Sequence, residues 1–334
     1  MADRVVLHVG LMKSGTSYVQ DRMVAAPEEL ARHDVLFPGT TWRDQVVAVS
    51  DAIGVQKRAQ GQFDGAWERM ADQVRAWSGT AVISMEFLGP ASEPGIAAVV
   101  GAFPAGTVEV VVTVRDLGRT LPAMWQESLK NGKSWSWREY LAGVRRGEGP
   151  GTNFWRQQDA GAVVRRWSDA VGAARTTIVT LPPPGAAPET LWERFCEAAG
   201  VPVDCCPPVP ASNESLGAAS AALMRRVNDA VGDLPWPEYS DRVKFGLAKT
   251  VLAGHRSAEE TIGVRVPRWV RRRAAALRAE LSRLVDAGVR VVGDLDDLTP
   301  VSVRGVDADR VAEQAQLDAA VHALAELLRR DTAR

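Results

Sequence analysis

A lysine, several hydroxyl side chains and two glycines lie close together near the start of the chain, between Gly10 and Ser17. A glycine-containing turn between a strand and a helix directs backbone N–H groups at one point, and the start of the helix adds partial positive charge. Lys13 would add a mobile positive charge, and Ser14, Thr16 and Ser17 would add further donors. This combination predicts a binding site for a phosphate group.

The spacing of this loop differs from that of the ATP-binding loop, G-x-x-x-x-G-K-[ST]. Gly10 and Gly15 keep the glycine spacing, but Thr16 follows Gly15 directly and the lysine has moved forward to Lys13. In ATP and GTP enzymes the lysine serves the β- and γ-phosphates, and the hydroxyl after it binds magnesium. The displaced lysine favours another phosphate arrangement, with a magnesium-ATP-dependent small-molecule kinase as the alternative.

A second cation is expected beside this loop. The nearly continuous valines at 108–114 are typical of a parallel strand that is buried on both faces. Arg115 and Asp116 follow that strand, and the carboxyl ends of parallel strands line a common ligand crevice. Lys13 and Arg115, without a clear acidic metal ligand, fit a nucleotide that binds without a metal ion.

The best candidate for a general base is Glu86, which closes a predicted strand at 81–85. A carboxylate at the end of a parallel strand faces the same crevice as the phosphate loop and can accept a proton there. Glu86 could instead be a carboxylate that stabilises the start of a helix. His8 is the competing base, although its place within the first strand is more typical of a packed side chain that braces the loop.

Short apolar segments and amphipathic segments alternate along the chain. Strands are predicted at 5–9, 81–85, 108–114, 176–181 and 290–292. Helices are predicted to begin near Thr16 and to cover 67–77, 121–130, 160–170, 190–199, 267–287 and 307–330. This alternation predicts an α/β fold, a three-layer sandwich with a central parallel sheet and helices on both faces.

The length of 334 residues fits one large α/β domain or two smaller ones. We expect one domain over 1–300, with mobile acceptor-side excursions at about 131–160 and 205–260, and a helical extension over 301–334 packed on it. Several tryptophans crowd the middle of the chain and could either stack on an acceptor or fill the core. They are Trp125, Trp135, Trp137, Trp155 and Trp167.

The bulk composition restricts the partners of the protein. A net charge of −1 argues against nucleic acid or an anionic membrane as the main partner. No apolar segment reaches the length of a membrane span, and no secretion signal is recognisable. Cys196, Cys205 and Cys206 show neither a disulfide framework nor a zinc pattern. We therefore expect a cytoplasmic protein. The sequence gives no indication of its oligomeric state.

The segment from His8 to Gln20 resembles the 5′-phosphosulfate loop of sulfotransferases that use 3′-phosphoadenylyl sulfate (PAPS). The usual form of that loop is close to P-K-[ST]-G-T-[ST], and Met12 stands here where proline is common. The segment from Thr113 to Arg119 resembles the second element of the family, in which an arginine reads the 3′-phosphate. Many members carry a serine eight positions after that arginine, where this chain has Ala123; Thr120 and Ser128 are possible substitutes.

The resemblance, which is to bacterial members, implies a P-loop α/β sandwich and PAPS as the co-substrate. It implies that Lys13 stabilises the bridging oxygen, that the loop from Ser14 to Ser17 holds the 5′-phosphate, and that Arg115 holds the 3′-phosphate. Glu86 resembles the base of the glutamate type in this family. The acceptor would be a hydroxyl or amine of an unidentified small molecule or carbohydrate. Because Ala123 replaces the serine, a non-catalytic nucleotide-binding module is a further alternative.

A weaker likeness lies at 213–216, which resembles a loop near the nucleotide in bacterial members. Ser215 in this segment could equally cap a helix that starts at Leu216. We expect the cap.

Overall fold

The computed structural model describes residues 2–55, 63, 65–209 and 215–331. These residues form two compact units. The first unit comprises Met1–Asp116, Arg156–Ser212 and Arg272–Thr299, and the second comprises Leu117–Trp155, Asn213–Arg271 and Pro300–Arg334. The division into a domain over 1–300 and an extension over 301–334 stays a prediction.

The first unit contains a six-stranded sheet in the order β2-β3-β1-β4-β5-β6, and every pair of neighbours is parallel. Its strands are β1 Arg4–His8, β2 Val35–Leu36, β3 Thr80–Ser84, β4 Val108–Val114, β5 Thr176–Thr180 and β6 Arg290–Val292. The predicted central parallel sheet is confirmed. The additional strand β2 has only two residues, which is too short to produce a sequence pattern.

The helices connect and cover these strands. They are α1 Thr16–Val24, α2 Pro27–Arg32, α3 Trp42–Ala52, α4 Ala66–Ala76, α5 Glu93–Gly101, α6 Leu117–Lys130, α7 Trp137–Arg146, α8 Pro150–Gln158, α9 Ala160–Val171, α10 Thr190–Ala199, α11 Ala218–Val231, α12 Trp236–Glu238, α13 Arg268–Asp286 and α14 Glu313–Asp331. A π-helix over Tyr239–Leu252 follows α12. Within the part of the chain that the structure describes, no helix combines the length and apolarity needed to cross a membrane.

Both faces of the sheet are covered, because successive side chains of a strand point to opposite sides. On β1, Val5 and Leu7 join one apolar cluster with side chains of α3, α4, α5, α9 and α13. Val6 joins a second cluster with side chains of α1, α2 and α10. The valines of β4 divide in the same way between the two clusters. The predicted three-layer α/β sandwich is therefore confirmed in the first unit.

Helix α1 is tied to α10 by a buried arginine. Arg22 is 2% exposed and donates to the carbonyl oxygen of Cys206, with Nε at 3.1 Å, and to the carboxylate of Glu189. Its guanidinium lies over the ring of Trp192, 4.5 Å from the centroid. Because a buried guanidinium that loses its hydrogen-bond partners is destabilising, this cluster fixes the helix that starts at the predicted phosphate loop.

The three cysteines lie in the same layer as α1 and α10 and are all buried. The Sγ atoms of Cys205 and Cys206 are 3.5 Å apart, and Cys205 donates from its thiol to the carbonyl oxygen of Pro202 at 2.9 Å. Burial raises the pKa of all three thiols, that of Cys196 included. These thiols are packing groups of the core.

The second unit has its own aromatic core. The rings of Trp125 and Trp137 lie 5.6 Å apart in an edge contact, and Tyr140 and Phe154 continue the row. The indole of Trp155 donates to the carbonyl oxygen of Val144 at 2.7 Å. The segment 131–160 thus contains α7 and α8 and packs through its aromatic residues.

Helix α11 begins later than the sequence suggests, at Ala218, with Gly217 before it. The prediction that Ser215 caps a helix starting at Leu216 is therefore wrong. The hydroxyl of Ser215 accepts instead from Nε of Arg256 at 3.4 Å. The carboxylate of Glu259 takes the place of the cap, because it accepts from the N–H of Ser220 at 2.8 Å. Residues 213 and 214 of the weaker likeness lie outside the described residues.

Candidate functional site

The predicted phosphate loop joins β1, in the interior of the sheet, to α1. The N–H of Leu11 donates to the carbonyl oxygen of Thr113 at 2.7 Å, so the loop starts as an extension of the pairing with β4. Lys13 has a φ of 62° and Gly15 a φ of 84°, both in the left-handed region. Alternating left-handed residues turn successive N–H groups toward one point, and the first amides of α1 have no acceptor within the helix. This backbone can hold an anion.

Close packing requires the two glycines of the loop. An added Cβ at Gly10 would lie 2.8 Å from Cβ of Glu86, and one at Gly15 would collide with the side chain of Leu191. Both residues also have positive φ values, which L-residues with a Cβ rarely adopt. The glycine spacing of the sequence thus reflects the approach of Glu86 on one side and of α10 on the other.

A chain of polar side chains lies beneath the loop and crosses three strands. Nδ1 of His8 is 2.8 Å from Oγ of Ser84, and Nε2 of His8 is 3.1 Å from Oγ1 of Thr113. Oγ1 of Thr113 is in turn 2.7 Å from Oγ of Ser14, which donates to the carbonyl oxygen of Leu11. Ser84, His8, Thr113 and Ser14, here called the buried polar chain, are each at most 1% exposed. They hold the loop from inside the sheet.

His8 is the centre of the buried polar chain and is neutral at physiological pH, because complete burial lowers its pKa to about 3. Both of its ring nitrogens face hydroxyl groups, and its ring lies 5.0 Å from that of Phe195. A histidine enclosed in this way has no exposed ring atom. Its hydrogen bonds brace the loop from inside the sheet, and Glu86 is the carboxylate beside the loop.

Glu86 and Arg115 reach the loop from the two strands next to β1. Glu86 opens a short 3₁₀ turn after β3 and is half-buried. Arg115 follows β4, is also half-buried, and donates from Nη1 to the carbonyl oxygen of Lys13 at 3.4 Å. Lys13 itself is half-buried. The structure thus brings the three predicted charged residues, here called the outer groups, to one loop.

The hydroxyl groups of the loop are predicted to donate to a phosphate, but two of them form hydrogen bonds within the loop. Those of Ser14 and Thr16 donate to the carbonyl oxygen of Leu11, the latter at 3.3 Å. Ser17 is half-buried at the second position of α1. The hydroxyls of Ser14 and Thr16 therefore shape the loop, and an anion here would meet mainly backbone N–H groups and Lys13.

Three glutamines support the site in addition to the predicted residues. Gln20 donates from Nε2 to the carbonyl oxygen of Ser84 at 2.7 Å and to the carboxylate of Glu86 at 3.5 Å. Gln45 accepts from the N–H of Ser84 at 2.8 Å, and Gln158 donates to the carbonyl oxygen of Met12 at 2.8 Å. Gln20 lies within the segment that resembles the phosphosulfate loop, whereas no sequence pattern points to Gln45 or Gln158.

The second unit contains the residues considered for the missing serine. Ala123 is half-buried in α6. The hydroxyl of Ser128 donates to the carbonyl oxygen of Trp125 in its own helix at 2.6 Å. The hydroxyl of Thr120 is buried and has no hydrogen-bond partner among the described residues. Of the two possible substitutes, Thr120 is the one with an unused hydroxyl group.

Comparisons with known proteins give one similar structure. No family model matches the chain, and no curated protein matches it. A solved structure of a sulfotransferase from Alicyclobacillus acidocaldarius is similar, with 20% sequence identity and a TM-score of 0.42. The match covers 62% of this chain and 85% of that chain. Among the described residues, no group of three or more His, Cys, Asp or Glu side chains is placed to hold a metal ion.

Proposed function

We propose that the protein is a PAPS-dependent sulfotransferase that moves a sulfuryl group to a hydroxyl or amine of a small-molecule or carbohydrate acceptor. The observation that carries this proposal is the position of Lys13. It stands in a left-handed conformation two residues before Gly15, and Arg115 donates to its carbonyl oxygen. Two cations that follow adjacent parallel strands, one in the loop after β1 and one after β4, suit a nucleotide with two separated phosphate groups on its ribose.

The chemistry of such a transfer is a substitution at sulfur. The acceptor oxygen or nitrogen forms a bond to sulfur while the bond from sulfur to the bridging phosphate oxygen breaks, and 3′-phosphoadenosine 5′-phosphate leaves. In this proposal the amides from Ser14 to Ser17 hold the 5′-phosphate, and Arg115 holds the 3′-phosphate. The ammonium of Lys13 stabilises the charge that develops on the bridging oxygen.

Glu86 accepts the proton of the acceptor in this proposal. Its Cβ lies against Gly10, and its carboxylate is held at 3.5 Å by the amide of Gln20. A base must come within hydrogen-bond reach of the proton that it takes, so a half-exposed carboxylate at the rim of the loop suits this role. The enclosed imidazole of His8 does not.

Isothermal titration calorimetry with 3′-phosphoadenosine 5′-phosphate, in the presence of EDTA to remove magnesium, tests the identity of the donor. We expect binding without magnesium and at least a tenfold loss of affinity, about 1.4 kcal/mol, in Lys13→Ala and in Arg115→Ala. The matched control is Arg43→Ala, which removes an exposed arginine of α3 and should bind like the wild type.

Two other outcomes would replace the proposal. Tighter binding of magnesium-ATP, with hydrolysis that disappears in Lys13→Ala, would establish a kinase. Nucleotide binding without transfer to phenols, sugars, amines or lipid alcohols, and without an effect of Glu86→Gln, would establish a non-catalytic binding module.

A further inference from the structure

Helix α14 carries a stripe of exposed aliphatic side chains, unlike the other helices of the second unit described above. Leu317 is 56% exposed, and Val321, Leu324 and Leu328 are each 59% exposed. These residues follow each other at intervals of four, three and four, which places them on one side of a helix. We call them the α14 stripe. Exposed apolar patches of this kind mark interaction sites.

The opposite side of α14 is already occupied. Ala319 and Ala323 are 2% and 4% exposed, where the helix packs on α11 and the π-helix. These buried alanines attach α14 to its unit. Ala320 and Ala325 flank its centre and are small and uncharged, so a second helix can approach closely there.

The spacing of the stripe is the same when it is read in reverse. A second copy of the helix, placed antiparallel across a two-fold axis, would bring Leu317 against Leu328 of the other copy and Val321 against Leu324. An interface of two-fold symmetry requires such self-complementarity, because the same patch contributes both sides. Intervals of four and three residues are also those of helix pairs that pack knobs into holes.

The charges of α14 favour the same orientation. Its first half carries Glu313 and Asp318, whereas the charges of its second half balance, with Arg329 paired to Glu326 and Arg330 next to Asp331. An antiparallel copy brings the acidic half of each helix beside the balanced half of the other and opposes the helix dipoles. A parallel copy would bring the two acidic halves together.

We infer that a second copy of this chain docks on the α14 stripe, and that the protein forms an antiparallel homodimer through this helix. The inference is independent of the proposed function, since it uses no residue of the phosphate loop.

Sedimentation velocity of the full chain tests the inference over a range from about 1 to about 100 µM, because association depends on protein concentration. We expect a dimer in the wild type and at least a hundredfold weaker dimer in Leu324→Glu. Val203→Glu, which changes an aliphatic residue of the first unit that is 42% exposed, should leave the dimer unchanged. Circular dichroism and a thermal melt check that both variants fold.

Cysteine cross-linking tests the orientation. Positions 317 and 328 are about 16 Å apart along one helix, so neither Leu317→Cys nor Leu328→Cys can link to itself in an antiparallel pair. A mixture of the two variants should form a disulfide-linked dimer under mild oxidation, and the buried native cysteines should not react. A monomeric wild type at the highest concentration, a dimer indifferent to Leu324→Glu, or self-linking of Leu317→Cys would each overturn the inference.

Discussion

The two sides of the phosphate loop differ in composition and in environment. The buried polar chain beneath it consists of neutral groups that bond to one another, with His8 at its centre. The outer groups, Lys13, Glu86 and Arg115, are charged and half-buried. The first set holds the backbone, and in the proposed function the second set contacts the nucleotide and the acceptor. We therefore expect substitutions in the buried polar chain to lower mainly the free energy of unfolding. Substitutions in the outer groups should lower mainly kcat.

The largest expected effect tests the outer groups. Glu86→Gln keeps the size of the side chain but removes the proton acceptor, so kcat should fall roughly 100- to 10,000-fold. The thermal midpoint should stay within a few degrees of the wild type, because Glu86 is not part of the buried polar chain. Steady-state kinetics with PAPS and calorimetric melts measure the two quantities.

Glu93→Gln is the matched control, since it changes an exposed carboxylate in the first turn of α5. It should alter neither quantity. A wild-type kcat in Glu86→Gln would show that Glu86 has no role in the proton transfer, and would contradict the catalytic role of the outer groups.

The next effect tests the buried polar chain through pH. Burial lowers the pKa of His8 to about 3, whereas an unfolded histidine has a pKa of about 6.5. Below about pH 6.5 the unfolded chain binds a proton that the folded chain does not, so the free energy of unfolding falls as the pH falls. At about pH 5, proton binding to His8 in the unfolded chain should lower the free energy of unfolding by about 2 kcal/mol relative to about pH 8. Urea denaturation at the two pH values measures this difference.

His8→Gln is the variant that isolates this contribution. It should be less stable than the wild type at about pH 8, by about 1–3 kcal/mol, because buried hydroxyl groups lose partners. Its stability should then depend less on pH between about 8 and about 5. An equal pH dependence in the two proteins would show that His8 does not titrate on unfolding in this way.

The smallest effect lies where the two sets of residues meet. Gln20 holds both the end of β3 and the carboxylate of Glu86, whereas Gln45 holds the end of β3 and the carbonyl oxygen of Pro38. In Gln20→Met we expect kcat to fall about tenfold, with the KM for PAPS unchanged, because the carboxylate is no longer oriented. Gln45→Met should lower stability by a similar free energy but leave kcat near the wild type. Equal kcat values for the two variants would contradict the positioning role of Gln20.

The sequence predicted those parts of the molecule that rest on local patterns. The valines of β4 and the glycines of the loop carry their own signals, because burial on both faces and positive φ values restrict the residue type at each position. Parallel pairing then brings Glu86 and Arg115 to the strand ends beside β1. The outer groups could therefore be proposed before any coordinates.

The supports of the loop could not be predicted in the same way. Gln158 reaches Met12 across 146 positions of the sequence, and Thr113 links His8 to Ser14 across β4. A buried polar side chain follows no period, since its partner is set by tertiary packing. For the α14 stripe, the period of the apolar residues predicts a helix, but it does not show which apolar side of that helix stays exposed to solvent.

The three buried cysteines give the layer of α1 and α10 a chemical reporter. A maleimide can reach Cys196, Cys205 or Cys206 only when that layer opens, since all three thiols are enclosed in the native chain. Their modification rate in native buffer therefore measures how often the helix after the phosphate loop detaches. Any nucleotide that binds the start of α1 raises the free energy of this opening and slows the modification. Candidate donors can thus be ranked by thiol protection before a single acceptor is known.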